Sequence, residues 1–201
     1  MMPPYELTKD GLESQQGTNH FGHFALTGLL LHKLKATPGS RVVNVSSLAH
    51  KQGRMDFDNL LYENGKGYSP LGAYGRSKLE NLLFTYGLQD FFSKNKLDIK
   101  AVVAHPGVSD TNLFSKIGGE FLQKLFKPLM KLVVQPAEMG ALPQLRASVD
   151  SEAKGGEYFG PDGFVEMKGY PVQVQPDKHA RNAGDIQKLW EVSEKITGVR
   201  F

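Results

Sequence analysis

Apolar positions along the chain follow two rhythms, one of helical spacing and one of continuous short runs. Residues 8–35, TKDGLESQQGTNHFGHFALTGLLLHKLK, place Leu12, Phe21, Phe24, Leu30 and Leu34 among polar neighbours, which predicts a helix capped by Thr8 and stopped by TPGS. RVVNVSS, residues 41–47, is rich in valine and alternates poorly, as a strand covered on both faces does. After a polar, glycine-bearing connection, residues 73–95 (AYGRSKLENLLFTYGLQDFFSKN) align Leu79, Leu82, Leu83, Tyr86 and Leu88 along one side of a second helix. LDIKAVVAHPG, residues 97–107, is a second buried strand. Strand, helix and strand in this order form a right-handed parallel crossover. Further on, residues 135–149 read as a helix, GEYFGP as a short last strand, and residues 185–198 as a closing helix ended by Gly198. With no repeat and no linker, residues 1–201 are expected to form a single α/β domain.

Composition narrows this picture only a little. The chain has 201 residues, 40% of them hydrophobic and 22% charged, which is ordinary for a globular domain. A net charge of +3 without any block of like charge argues against nucleic acid as a partner. The absence of cysteine removes disulfides, thiolate zinc sites and cysteine nucleophiles. The longest apolar run, FALTGLLL, is well short of the roughly 20 residues of a membrane span, and no secretory leader opens the sequence. A soluble, cytoplasmic protein is the expectation. His20 and His23 are the one histidine pair at i, i+3, read as helix surface or interface rather than a metal site. No GxSxG occurs, so Ser46 and Ser47 lack the setting of a hydrolase nucleophile.

Chemistry enters with a tyrosine four places before a lysine. That spacing occurs three times, in YELTK (Tyr5, Lys9), YENGK (Tyr62, Lys66) and YGRSK (Tyr74, Lys78). On an unbroken helix the two side chains share one face and act on one ligand. Asn64-Gly65 is a turn signal and Tyr5 precedes the proposed cap, so Tyr74 and Lys78 are selected. Their helix lies between a strand ending in Ser46-Ser47 and another ending in AHPG, and ligands of open parallel sheets bind at the carboxyl ends of strands.

TNHFGHF, RVVNVSS, YGRSK and HPGVSDT, in this order, resemble the motifs of the short-chain dehydrogenase/reductase family along essentially the whole chain. The insert between Ser47 and Tyr74 looks most like the branch of retinol dehydrogenases, WW-domain oxidoreductases and protochlorophyllide reductases. The resemblance implies NAD or NADP as cofactor and a small-molecule alcohol or carbonyl as substrate. It makes Tyr74 the general acid/base and Lys78 the holder of the nicotinamide ribose, a cation that lowers the tyrosine pKa. Ser47 would hydrogen-bond the substrate oxygen, and Asn19 would support a proton relay. Pro106, Gly107 and Thr111 would meet the nicotinamide end. The two long helices correspond to the family's usual dimer surface, implying a homodimer or tetramer.

A dinucleotide-binding fold begins with a glycine-rich strand-to-helix turn, and no such turn is found here. MMPPYELTKDG resembles the family's sequence just after its NNAG strand, so the fold class expected is the C-terminal part of a Rossmann-like, doubly wound parallel sheet, its first βαβ half of roughly 90 residues absent. The chain alone is then expected to bind cofactor weakly, and RVVNVSS to present an open edge. The alternative is a non-catalytic dimerisation or interaction module. Residues 114–134, with Phe114, Ile117, Phe121, Leu122, Leu125 and Phe126, are expected to form an apolar lid for a lipophilic substrate. Lys116, Lys124, Lys127 and Lys131 are read as solvated on that lid in preference to membrane-bound.

Overall fold

Helix α1 occupies residues 14–35 in three parts: an α-turn at Ser14–Gln16, a π-helical stretch at Gly17–Phe21 and an α-helix at Gly22–Lys35. The computed structural model describes residues 2–109 and 134–201. The helix does not begin at Thr8. The Thr8 hydroxyl accepts from the Leu12 amide at 3.2 Å, the Thr8 amide donates to the Leu12 carbonyl at 2.7 Å, and Gly11 turns left-handed at φ +78°. Those bonds close a loop that consumes the would-be cap. Glu13 caps instead, its buried carboxylate accepting from the amides of Gln15 and Gln16, each at 2.9 Å.

Helix α2 (Pro70–Lys94) starts where Pro70 presets the first turn and the Ser69 hydroxyl accepts from the Gly72 amide at 3.2 Å. Helix α3 (Ala137–Val149) carries Pro143 inside it. Helix α4 (Ala183–Thr197) is capped by Asn182, whose side chain accepts from the Asp185 amide at 3.0 Å, and ends on Gly198 at φ +69° as expected.

Strands β1 (Ser40–Val45), β2 (Ile99–Ala104) and β3 (Tyr158–Pro161) run parallel, with Ser40 opposite Ile99 and Val103 opposite Tyr158. A fourth strand, β4 (Pro171–Gln173), pairs antiparallel with β3, giving the order β1-β2-β3-β4. Its three residues leave no period to read in the sequence. Alternation along β2 divides the core. Ile99 and Ala101 pack with Phe84, Leu88 and Phe92 of α2, and Val103 with Leu79, Leu82 and Leu83, while Val102 and Ala104 meet Ala147 of α3 on the other face. Each buried leucine contributes about 1.5–3 kcal/mol of transfer free energy, which is what fixes α2 across the strands.

Two expectations are narrowed. Strand β1 has cover on both faces, Val42 packing on the α2 side and Val43 on the α3 side, but the cover is incomplete. Val42 and Val43 are half-buried and Val45 is 37% exposed, because β1 is an edge whose only strand partner among the described residues is β2. The open edge itself was expected. Of the two readings of His20, surface or interface, the second holds: it is fully buried between helices, against Phe21 and Phe84, with Nε2 2.8 Å from the Ser193 hydroxyl of α4, and burial lowers its pKa to about 3. The Ser193 hydroxyl donates to the Leu189 carbonyl at 2.7 Å, so it accepts from a neutral His20 ring. His23, one turn on, is exposed.

Candidate active site

The carboxyl ends of β1 and β2 and the first two turns of α2 meet at one edge of the sheet. Tyr74 and Lys78 lie there one helical turn apart, both partly buried, with the Lys78 ammonium 5.8 Å from the centre of the Tyr74 ring. By contrast, Tyr62 and Asn64 are left-handed, at φ +53° and +52°, so YENGK is a turn and its pair is not stacked on a helix.

Ser47 follows the last residue pair of β1 and starts a short helical turn, Leu48–Gln52, by accepting from the Ala49 amide at 3.2 Å. Burial pushes the Tyr74 phenol above its ordinary value of 10, and the neighbouring Ser47 side chain opposes that shift without cancelling it. The expected lowering by Lys78 is therefore not found in this state. Lys78 is itself depressed to about 8 by burial, so its charge is marginal where the phenol would need it. Its ammonium donates to the Val45 carbonyl at 3.0 Å, an acceptor it shares with Asn81 Nδ2, also at 3.0 Å.

Asn19 sits inside the π-helical part of α1. Its Nδ2 donates to the Ser77 hydroxyl at 3.0 Å, and Ser77 in turn donates to the Tyr74 carbonyl at 2.9 Å. The extra residue per turn of a π-bulge rotates one side chain out of helical phase, a device often found at functional sites. Gly17 allows it, since a Cβ there would press within 2.8 Å of the Thr8 methyl. Pro106 and Gly107 follow β2. Gln135 donates to the Pro106 carbonyl at 2.8 Å, and Gly107 is left-handed at φ +65°, where a Cβ would run into the Met167 carbonyl. Thr111 and the expected lid residues up to 133 lie outside the described residues.

Four of the expected site residues, Asn19, Ser47, Tyr74 and Lys78, thus lie together at this edge, Asn19 reaching the Tyr74 carbonyl through Ser77, with Pro106 and Gly107 on the neighbouring loop. Sequence reasoning missed the residues that hold them. Ser46 donates to the Lys78 carbonyl at 2.8 Å and so ties β1 to α2, while Ser77 lies within YGRSK itself. His50 Nε2 accepts from the Asp177 amide at 3.1 Å, so its Nδ1 carries the proton donated to the Ser47 carbonyl at 2.6 Å. Only the doubled serine and the serine inside YGRSK left any local trace. Among the described residues no group of three or more His, Cys, Asp or Glu could hold a metal, and no helix is long and apolar enough to cross a membrane.

No protein-family model matches the chain. Retinol dehydrogenase 13 of Homo sapiens is 37% identical over 204 residues, covering 99% of this chain and 58% of that protein. Retinol dehydrogenase 12 of Homo sapiens is 39% identical over 202 residues, covering 100% and 59%. A crystal structure of an uncharacterized protein from Mycobacterium paratuberculosis superposes with a TM-score of 0.81 at 39% identity, covering all of this chain and 65% of that one. The chain thus spans somewhat over half the length of the curated relatives it matches. The matches cover 99–100% of this chain, and on them the chain belongs to the short-chain dehydrogenase/reductase family.

Proposed function

We propose that this chain is the substrate-facing and nicotinamide-facing part of an NAD(P)-dependent oxidoreductase that interconverts an alcohol and a carbonyl on a lipophilic small molecule of the retinoid class. The observation that carries the reading is the convergence of Ser47, Tyr74, Lys78 and Asn19 at the carboxyl end of the sheet, with Lys78 5.8 Å from the Tyr74 ring and Asn19 tied to the Tyr74 turn through Ser77. The donor set suits the nicotinamide end of such a cofactor. The Lys78 ammonium has three donors and spends one on Val45, leaving two for a ribose diol. The bound cofactor supplies or takes the hydride.

The chain's own residues handle the proton. With its pKa raised, Tyr74 is fully protonated at neutral pH and equipped to give a proton to a carbonyl oxygen. The Ser47 hydroxyl, held by its bond to the Ala49 amide while His50 fixes the Ser47 carbonyl, offers that oxygen a second donor. Asn19 acts through Ser77 and keeps the Tyr74 turn in register. For alcohol oxidation the phenol must lose its proton, and a charged Lys78 favours that, so oxidation depends on pH more steeply than reduction. No glycine-rich turn for the pyrophosphate occurs in the sequence, so cofactor affinity of these 201 residues alone is expected to be weak. The test is titration of NADH and NADPH by fluorescence, with retinal as substrate, on this chain and on a longer form that includes a glycine-rich nucleotide-binding half. Saturable binding and turnover by the longer form support the proposal, and turnover by neither sinks it.

A second reading has its own observation. Leu26, Leu29 and Leu30 lie at i, i+3 and i+4 on α1 and are 54%, 64% and 45% exposed, an apolar stripe suited to self-association in a non-catalytic module. Size-exclusion chromatography beside the cofactor titration separates the readings: assembly without any cofactor binding favours the module.

A further inference from the structure

Three loops leave the carboxyl ends of β1, β2 and β3, and one carboxylate ties them together. Glu166 stands on the strap after β3. One of its oxygens is 3.0 Å from His105 Nε2, immediately after β2, and the other accepts from Lys51 Nζ at 3.0 Å, in the turn that Ser47 starts. His105 is fully buried, against the Tyr158 ring and directly over Gly160, where any Cβ would collide with its imidazole. Its other nitrogen, Nδ1, accepts from the Gly107 amide at 3.2 Å. An Nδ1 that accepts cannot carry the proton, so the neutral ring has its hydrogen on Nε2, aimed at Glu166.

The backbone of the strap is bent to make this contact. Val165 and Glu166 are successive left-handed residues, at φ +43° and +61°, conformations that are costly for a non-glycine residue and costliest for a β-branched one. The strap is nonetheless bonded throughout: the Glu166 amide to the Gly163 carbonyl at 2.9 Å, the Met167 amide to Phe164 at 3.1 Å, and the Val108 amide to Met167 at 2.7 Å. Burial acts to raise the Glu166 pKa, but its bonds to His105 and Lys51 outweigh it and hold the carboxyl below its ordinary value, so it is an anion at neutral pH.

We infer that Glu166 is a positioning residue. Its carboxylate selects the Nε2-protonated form of His105, so that Nδ1 holds the Gly107 amide and keeps the Pro106-Gly107 turn shaped to receive a planar nicotinamide. The purpose assigned to that turn rests on the oxidoreductase reading above; the tautomer and the hold on Gly107 do not. Lys51 neutralises the carboxylate from outside and adds nothing to the tautomer.

The experiment is long-range proton–nitrogen correlation NMR of the histidine rings in the 201-residue chain, with amide exchange of Gly107, on wild type, Glu166→Ala, Glu166→Gln and Lys51→Ala. Expected are an Nε2-protonated His105 in wild type, in Glu166→Gln, whose amide oxygen still accepts, and in Lys51→Ala. Glu166→Ala should give mixed tautomers and Gly107 exchange at least about tenfold faster. A wild-type ring protonated on Nδ1 overturns the inference whatever the variants do, which covers the case in which Glu166→Ala fails to fold. A Glu166→Ala ring and Gly107 amide identical to wild type overturn it too. If the tautomer behaves as expected but NADH bound to saturation in a longer form that includes a glycine-rich nucleotide-binding half moves neither the Gly107 nor the Tyr74 amide, the hold on Gly107 stands and the nicotinamide purpose is lost.

Discussion

Helix α2 carries titratable side chains at two depths, and the contrast between them separates what is available for chemistry from what is not. At its start, Tyr74 and Lys78 are shifted by partial burial, yet each keeps a face toward the sheet edge and each has donors to spare. On the opposite side of the same turns, Arg76 and Glu80 are shut in. Arg76 is 7% exposed, with Nε on the Arg54 carbonyl at 3.0 Å, Nη1 on those of Asn59 and Leu60 at 2.9 and 3.1 Å, and its guanidinium 4.2 Å above the Tyr62 ring. Glu80 is wholly buried, and its carboxyl is pushed well above the ordinary range by burial, with Glu13 adding to the shift and Arg76 opposing it. Turned with its nitrogen toward Glu80, the Gln16 amide donates to both carboxyl oxygens. Desolvation acts on both clusters; only the first leaves an unfilled hydrogen-bonding valence that a ligand could reach.

The largest effect is expected from Tyr74→Phe in the longer, cofactor-binding form. Loss of the proton donor should lower turnover by about 10²–10⁴-fold with cofactor affinity nearly unchanged. Since the phenol is half-buried and its main partner is Ser47, stability should move little. Retained turnover would remove Tyr74 from the mechanism. Arg76→Met should do the reverse. It frees three backbone carbonyls and takes the cation away from Glu80, and is expected to destabilise the fold by about 3–5 kcal/mol in urea unfolding. A cost near zero would mean that the enclosed cluster is not structural.

How much of this was legible in the sequence follows the range of each interaction. The α/β class, strand β2, helix α2 and the stop at Gly198 are written in local period and local residue type, and so were readable. The YGRSK site was readable because a helix turn places Tyr74 and Lys78 together without help from elsewhere. Glu13 as cap was hidden, because Thr8 offers the better capping residue and only the loop closed by Leu12 disqualifies it. His105 and Glu166 are 61 residues apart, and no spacing rule connects them. The exposure of β1 depends on which strand lies beside it, a fact of tertiary structure that valine content cannot report.

Lys78→Met tests the open site from the side of stability. The folded pKa is about 8 against an ordinary 10.5, so between those values the unfolded chain binds more protons than the folded one, and wild-type stability rises with pH across that window. Below it the charged ammonium is a burden on the fold. Lys78→Met should therefore stabilise the chain at neutral pH by about 1–2 kcal/mol, an advantage that fades toward about pH 10, while abolishing activity in the longer form. Equal unfolding midpoints at both pH values would show that Lys78 bears no such cost.

Glu80→Gln makes the matching test of the enclosed cluster, with the opposite sign. A carboxyl whose folded pKa lies above its ordinary value of 4.5 takes up a proton on folding, and its contribution is complete below that value and lost as pH rises through the folded one. Glutamine keeps the shape, cannot ionise, and still meets the Gln16 amide. The variant should thus be near wild type in stability at about pH 4 and pull ahead as pH rises, by about 1 kcal/mol at pH 8, since a tenfold change in proton affinity on folding is worth about 1.4 kcal/mol and Arg76 recovers part of it. Parallel stability–pH curves for the two proteins would mean that Arg76 already compensates an ionised Glu80. The two sides of α2 would then differ only in access to solvent, since a filled valence would no longer distinguish them.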